Sequence, residues 1–187
     1  MKKSRFQKVV EWITLFSIGF SFLFFFLWKE GNSSLWFPFF LTFVTISYHF
    51  GMRLLVGAVF EGCVKRLFDP ENAWFRSKKW ERKLYRRLKV KRWKSWVPTY
   101  SPAQFSMQDH TVDEIVQAMC RAELIHEIIA LLSYGSLLFV LLSGDPADFW
   151  IFFSTAVAAS GFECVFVVVQ RFNRPRLLLW KQKQLTK

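Results

Sequence analysis

The stretch VVEWITLFSIGFSFLFFFLW, residues 9–28, decides the fold. It holds one charge, Glu11, close to its start, and it follows Lys2, Lys3, Arg5 and Lys8. At 1.5 Å of rise per residue, a helix of this length crosses the roughly 30 Å hydrocarbon core of a bilayer. A basic start ahead of an apolar run also describes a signal peptide. This run is too long for one, ends on Phe24-Phe25-Phe26-Leu27-Trp28 and has no small-x-small cleavage site. It reads as a retained transmembrane helix.

The same signal recurs three times. After a polar turn at 29–34, a second span covers about 35–60, with Pro38 in its first turn, where a missing N–H does no harm. A third covers about 124–142. Ser143-Gly144-Asp145-Pro146-Ala147-Asp148 then makes a turn, and a fourth covers about 149–169. Composition agrees: 52% of the 187 residues are hydrophobic and 19% aromatic, with 23 Phe and 9 Trp. A water-soluble globule of this size has no room to hide that much apolar surface. The predicted fold class is all-α and integral to the membrane: four transmembrane helices in a single multi-pass domain over 1–187, with a basic amphipathic segment between spans 2 and 3.

Charge gives the orientation. Net charge is +12, from 26 Lys and Arg against 14 Asp and Glu. The loops 29–34 and 143–148 hold one Lys and no Arg, while the N-terminal tail, the 61–123 segment and the C-terminal tail hold nearly all the rest. By the positive-inside rule both termini and the 61–123 loop are cytoplasmic, in the cell membrane. Within that loop, residues 74–96 mix aromatic and basic residues. Trp80, Leu84 and Leu88 recur at i, i+4, i+8, as in an amphipathic helix lying on lipid headgroups. Pro98 and Pro102 end it, and Thr111-Val112-Asp113-Glu114 is a helix start with an acidic first turn. The basic residues belong to membrane flanks and no nucleic-acid motif is present, so nucleic acid is not an expected partner. The three cysteines, Cys63, Cys120 and Cys164, are odd in number and lack CxxC spacing, so they read as free thiols and no metal site is expected.

Polar groups inside spans are costly and are candidates for function by default. In the second span Thr42, Thr45, His49 and Arg53 share one helix face. In the fourth, Ser160, Glu163 and Gln170 share another. Arg53 and Glu163 lie at similar depth and form a natural ion pair, structural or lining a site. Arg121-Ala122-Glu123-Leu124-Ile125-His126 places Glu123 and His126 at i, i+3, where a carboxylate can hold an imidazole ready as a general base. Glu127 is a competing partner. Gln170-Arg171-Phe172-Asn173-Arg174-Pro175-Arg176-Leu177 groups three arginines, whose forks suit phosphates and carboxylates, just past the fourth span.

The block 121–126, the block Val169-Gln170-Arg171-Phe172-Asn173-Arg174-Pro175-Arg176-Leu177 and the basic segment Val90-Lys91-Arg92-Trp93-Lys94 together resemble the glycosyl-4,4′-diaponeurosporenoate acyltransferase family, over roughly residues 75–180. Asp113-Glu114-Ile115 fits as well, while Phe172 stands where the family pattern has Tyr. The resemblance implies acyl transfer from acyl-CoA or another acyl thioester to a hydroxyl of a lipid-linked sugar, such as a carotenoid glycoside, with no bound cofactor. It implies His126 as base and Glu123 as its orienting group. Arg121, Gln170, Arg171, Asn173, Arg174 and Arg176 would bind substrate, and the bilayer would supply the lipid acceptor.

Two other readings stand beside it. One is a non-catalytic membrane module that binds anionic lipid and a partner protein. The other is a lipid methyltransferase or reductase, which the absence of a Gly-rich nucleotide loop disfavours. The sequence carries no signal for an oligomeric state.

Overall fold

The structure, a computed structural model, describes residues 4–31, 33–61 and 68–186; Cys63 lies outside them. Every regular element among the described residues is helical. Four stretches are long and apolar enough to cross a membrane: Arg5–Glu30, Trp36–Glu61, Val112–Ser143 and Pro146–Leu185. Trp12, Phe16, Phe22, Leu141 and Trp150 stand exposed on them. Such an exterior is stable only in lipid, and the chain is a multi-pass membrane protein.

The first two spans, α1 (Arg5–Glu30) and α2 (Trp36–Glu61), form an antiparallel hairpin. Ser4 caps α1 by accepting from the Gln7 N–H at 3.1 Å. Where the hairpin helices meet they use small hydroxyl residues, which let backbones approach. Ser47 Oγ donates to Ser17 Oγ at 3.0 Å, and Thr14 and Ser21 return their own hydroxyls to Val10 and Ser17 carbonyls at 2.8 Å. Further toward the turn, rings replace hydroxyls: Phe20 stacks on Phe43 at 5.0 Å and Phe24 on Phe39 at 5.2 Å.

Two short helices follow, α3 (Lys79–Arg87) and α4 (Val90–Trp93). The single amphipathic helix expected over 74–96 is broken. Lys89 takes a left-handed conformation, φ 51°, which turns the chain so that Val90 is wholly buried against Tyr85 and Phe172. The buried face of α3 is Glu81 and Tyr85, and the apolar stripe Trp80, Leu84, Leu88 points outward.

The third span is α5 (Val112–Leu132), a 3₁₀ stretch (Ser133–Phe139) and α6 (Val140–Ser143). The helix starts where the sequence predicts, and Thr111 and Glu114 close a capping box there. Helix α5 runs unbroken from the helix start expected at 111–114 into the span expected from about 124. The α-helix gives way where Tyr48 of α2 intrudes. Its hydroxyl donates to the Leu132 carbonyl at 2.6 Å and lies against Gly135, where a side chain would collide with it.

The last helix, α7 (Phe149–Leu185), is 37 residues long. The sequence predicts its end near residue 169, ahead of the arginine cluster and Pro175, yet the helix runs on through them. Proline in a helix interior costs about 3 kcal/mol. Here Arg171 and Arg174, just before Pro175, are tied by ion pairs and carbonyl contacts to α5 and to residues 74–81, and these hold the helix through the break. Helices α5 and α7 form the second antiparallel pair, and α2 lies against α5. The start of α1, the end of α2, the start of α5 and the end of α7 share one end of the bundle with α3 and α4. This is the basic end of the bundle.

Candidate active site

Between the α1–α2 hairpin and the α5–α7 pair lies a cavity of about 640 Å³, roofed at the basic end by residues 97–105. The roof is fastened to α1: Ser4 Oγ donates to the Tyr100 carbonyl at 2.6 Å, and Phe6 meets the Tyr100 ring edge to face. Helix periodicity explains the walls. On α5, Ala118, Arg121, Ala122, Ile125, His126 and Ile129 fall on one face, as do Phe162, Glu163, Phe166, Val169, Gln170 and Asn173 on α7.

The floor of the cavity joins three spans. His126 Nδ1 lies 2.6 Å from Glu163 Oε2, and Arg53 Nη2 lies 2.5 Å from Glu163 Oε1. Glu163 is 1% exposed, while His126 and Arg53 keep 20% and 19% of their side-chain surface. Phe166 stacks on the imidazole at 4.5 Å, with the rings 8° apart, and fixes its plane. A carboxylate facing Nδ1 accepts its N–H and so selects the tautomer whose Nε2 carries the lone pair. The Arg53–Glu163 pair is where the sequence predicts one. His49, one turn along α2 from Arg53, is buried; both its ring nitrogens are without a hydrogen-bond partner among the described residues, and it is not among those that line the cavity.

Glu123, by contrast, does not meet His126. The i, i+3 spacing is compatible with contact, but α7 offers Glu123 two guanidinium groups and His126 a carboxylate. Glu123, fully buried, binds Arg174, whose other nitrogen binds the Phe75 carbonyl. Arg171 lies 3.2 Å from Glu123, 3.3 Å from Glu81 and 3.7 Å from Glu127, and donates to the Trp74 carbonyl at 2.9 Å. Glu127 also accepts from the Trp74 indole at 2.7 Å. These residues form a sealed clamp binding α5, α7 and residues 74–81 to one another. Arg174 is 2% exposed, Arg171 is 14% exposed and shared among three carboxylates, and neither lines the cavity. Arg176 also stands away from the cavity, its guanidinium 3.4 Å from the Phe172 ring centre and bonded to the Phe172 carbonyl. Phe172, in place of the Tyr of the family pattern, is buried edge to face against Tyr85. The Tyr85 hydroxyl donates to Glu81 at 3.3 Å, and burial with that neighbouring carboxylate pushes it up from its ordinary value.

Three of the residues predicted to bind substrate do line the cavity: Arg121, Gln170 and Asn173. Arg121 donates to Gln104 of the roof at 2.9 Å. One residue that the sequence reading quoted only within the basic block 90–94, without a site role, joins them. Lys94, at the end of α4, lines the mouth and donates to Asn173 Oδ1 at 2.6 Å. Burial, with Arg176 and Lys91 nearby, holds its ammonium below the ordinary lysine value. Among the described residues no group of three or more His, Cys, Asp or Glu is placed to hold a metal ion.

The fold and site define a polytopic membrane protein whose carboxylate-held histidine faces an internal cavity. The family model for glycosyl-4,4′-diaponeurosporenoate acyltransferase matches residues 71–182, more than half of the chain, and the protein belongs to that family. The match takes in Lys94, Arg121, His126, Glu163 and Asn173, while Arg53 comes from outside it. No curated protein and no solved structure matches the chain.

Proposed function

We propose that the protein moves a fatty acyl group from an acyl thioester to a hydroxyl of a lipid-linked sugar, with His126 as the base. The observation that carries this is the Arg53–Glu163–His126 line at the cavity floor. Nε2 of His126 takes the proton of the acceptor hydroxyl as its oxygen attacks the thioester carbonyl. The C–O bond forms, the C–S bond breaks, and the imidazolium returns the proton to the departing thiolate. Glu163 holds the ring and stabilises its positive charge. Arg53 pairs with Glu163 on its other side in a medium of low dielectric, where each of these interactions is strong. The name of the family supports a glycosylated carotenoid as the acceptor class. We place the basic end in the cytoplasm, where acyl-CoA is available, and the acceptor enters sideways from the bilayer.

The test follows transfer from labelled acyl-CoA into lipid extract, using membranes matched for protein level. Full activity of His126→Ala would remove the base. Orientation is checked by cysteine labelling, with the 29–34 and 143–148 turns expected outside and the C-terminal end inside. A second reading, a lipid-docking module without catalysis, draws on the outward stripe of α3, Trp80, Leu84 and Leu88, among Lys79, Arg82, Lys83 and Arg86. It predicts that substitutions in that stripe, and not at His126, abolish function.

A further inference from the structure

Most buried or half-buried cations of this protein are neutralised by a carboxylate: Arg53 by Glu163, Arg174 by Glu123, Arg171 by three acids and Lys181 by Asp113. Two cations at the cavity mouth are not. Lys94 has the amide oxygen of Asn173, and Arg121 has the amide oxygen of Gln104, and neither has an ion pair among the described residues. Of the acids that line the cavity, Glu163 is paired with Arg53 and His126 at the floor, while Glu11 and Glu61 stand on α1 and α2, on the side opposite α5 and α7. One wall of the mouth therefore carries uncompensated positive charge held by neutral amides.

Its distance from the floor is fixed by one helix. Ten residues of α7 separate Asn173 at the mouth from Glu163 at the floor. That is about 15 Å at 1.5 Å per residue. Ala122, Ile125, Phe166 and Val169 line the way between them. A molecule that fits has an anion at one end, its reacting centre at the other and a slender arm of that length between. Resting on the reading of His126 as base, we propose that Lys94, with Asn173 and Arg121, is the subsite for the phosphate ester of a phosphopantetheine arm, whose thioester reaches His126. Lys94 is thus a binding residue for the donor, and the clamp arginines Arg171 and Arg174 are not. Burial and the neighbouring cations Arg176 and Lys91 leave Lys94 short of compensating charge, which a phosphate supplies.

The experiment compares acyl-phosphopantetheine with acyl-pantetheine, which differ by the phosphate alone. In Lys94→Gln membranes the KM for the phosphorylated donor should rise about 10- to 100-fold, the usual worth of a hydrogen bond to a charged group. The KM for acyl-pantetheine and both kcat values should hold. Asn173→Asp, which sets a carboxylate beside Lys94 without change of size, should give the same selective loss should Lys94→Gln be poorly made. Equal effects on both donors, or none on either, overturn the subsite. Equilibrium binding of labelled phosphopantetheine and pantetheine separates this result from the catalytic reading. A wild-type preference for the phosphorylated ligand that Lys94→Gln abolishes supports the subsite even where no transfer is seen, and that lack of transfer would count against His126 as base. Competition by adenosine 3′,5′-bisphosphate supports the subsite with coenzyme A as the source of the arm. Competition by an acyl carrier protein supports it with the carrier as the source.

Discussion

Glu163 and Glu123 are two carboxylates in almost the same situation, with different work to do. Each sits between α5 and α7, each is at most 1% exposed, and each holds arginine. The difference lies in their partners. Those of Glu163 keep about a fifth of their side-chain surface, turned to a cavity. The partners of Glu123 keep less, 2% for Arg174 and 14% for Arg171; both are bound on another side to a backbone carbonyl, and neither lines the cavity. Burial of the acid does not tell a site from a clamp, but the surface left to the base does.

Substitutions can break or sharpen that contrast. The largest effect is expected at His126. His126→Ala should lower transfer about 10²–10⁴-fold, the usual share of general acid–base catalysis, at undiminished protein level. On the clamp side, Glu123→Ala should cost about 3–5 kcal/mol, because it strands Arg174 in a sealed interior. The measurement is the amount of folded protein in detergent against temperature, with loss of activity following loss of protein. Glu163→Ala tests both behaviours in one residue. It strands Arg53 and frees the imidazole, so protein level and turnover both fall. Adding Arg53→Leu should restore much of the protein and none of the turnover. A double variant with recovered turnover would make Glu163 a second clamp. The smallest effect is expected at Gly135→Ala, where a methyl displaces the Tyr48 hydroxyl from its place beside the 3₁₀ stretch. About 1–3 kcal/mol of stability, read from thermal unfolding, should be lost, with kcat retained in the surviving protein.

Much of the frame was legible in the sequence because a bilayer imposes it: four long, predominantly apolar runs with few charges admit few other readings. Arg53 and Glu163 were legible for the same reason, since charges at matched depth need each other. His126 was marked by its block, but its partner was misread. Spacing of i, i+3 says that Glu123 and His126 can share a face of α5. It does not say what α7 presents to each of them, and α7 answers with Arg174 for one and Glu163 for the other. The arginine block looked like substrate-binding residues because binding residues and clamp residues use the same guanidinium chemistry. Lys94 was hidden among many lysines and arginines in 78–96, and only the break at Lys89, which carries Val90 inward, brings it to the mouth. The end of the fourth span was misplaced because Pro175 and its charges have the composition of a helix stop, whereas tertiary ion pairs hold the helix through them.

That uninterrupted last helix has a mechanical consequence. One rigid rod carries Phe166 and Glu163 at the floor, Asn173 at the mouth and Arg174 in the clamp. Floor, mouth and clamp are therefore indexed to one another by counting residues. A single alanine inserted between Phe166 and Val169 would turn everything beyond it by about 100° and shift it by about 1.5 Å. Asn173 would swing off the cavity wall and Arg174 out of reach of Glu123 in the same stroke. The spacing along α7 is thus a vernier that no loop can retune, and length changes are tolerable only outside the interval from Glu163 to Arg174.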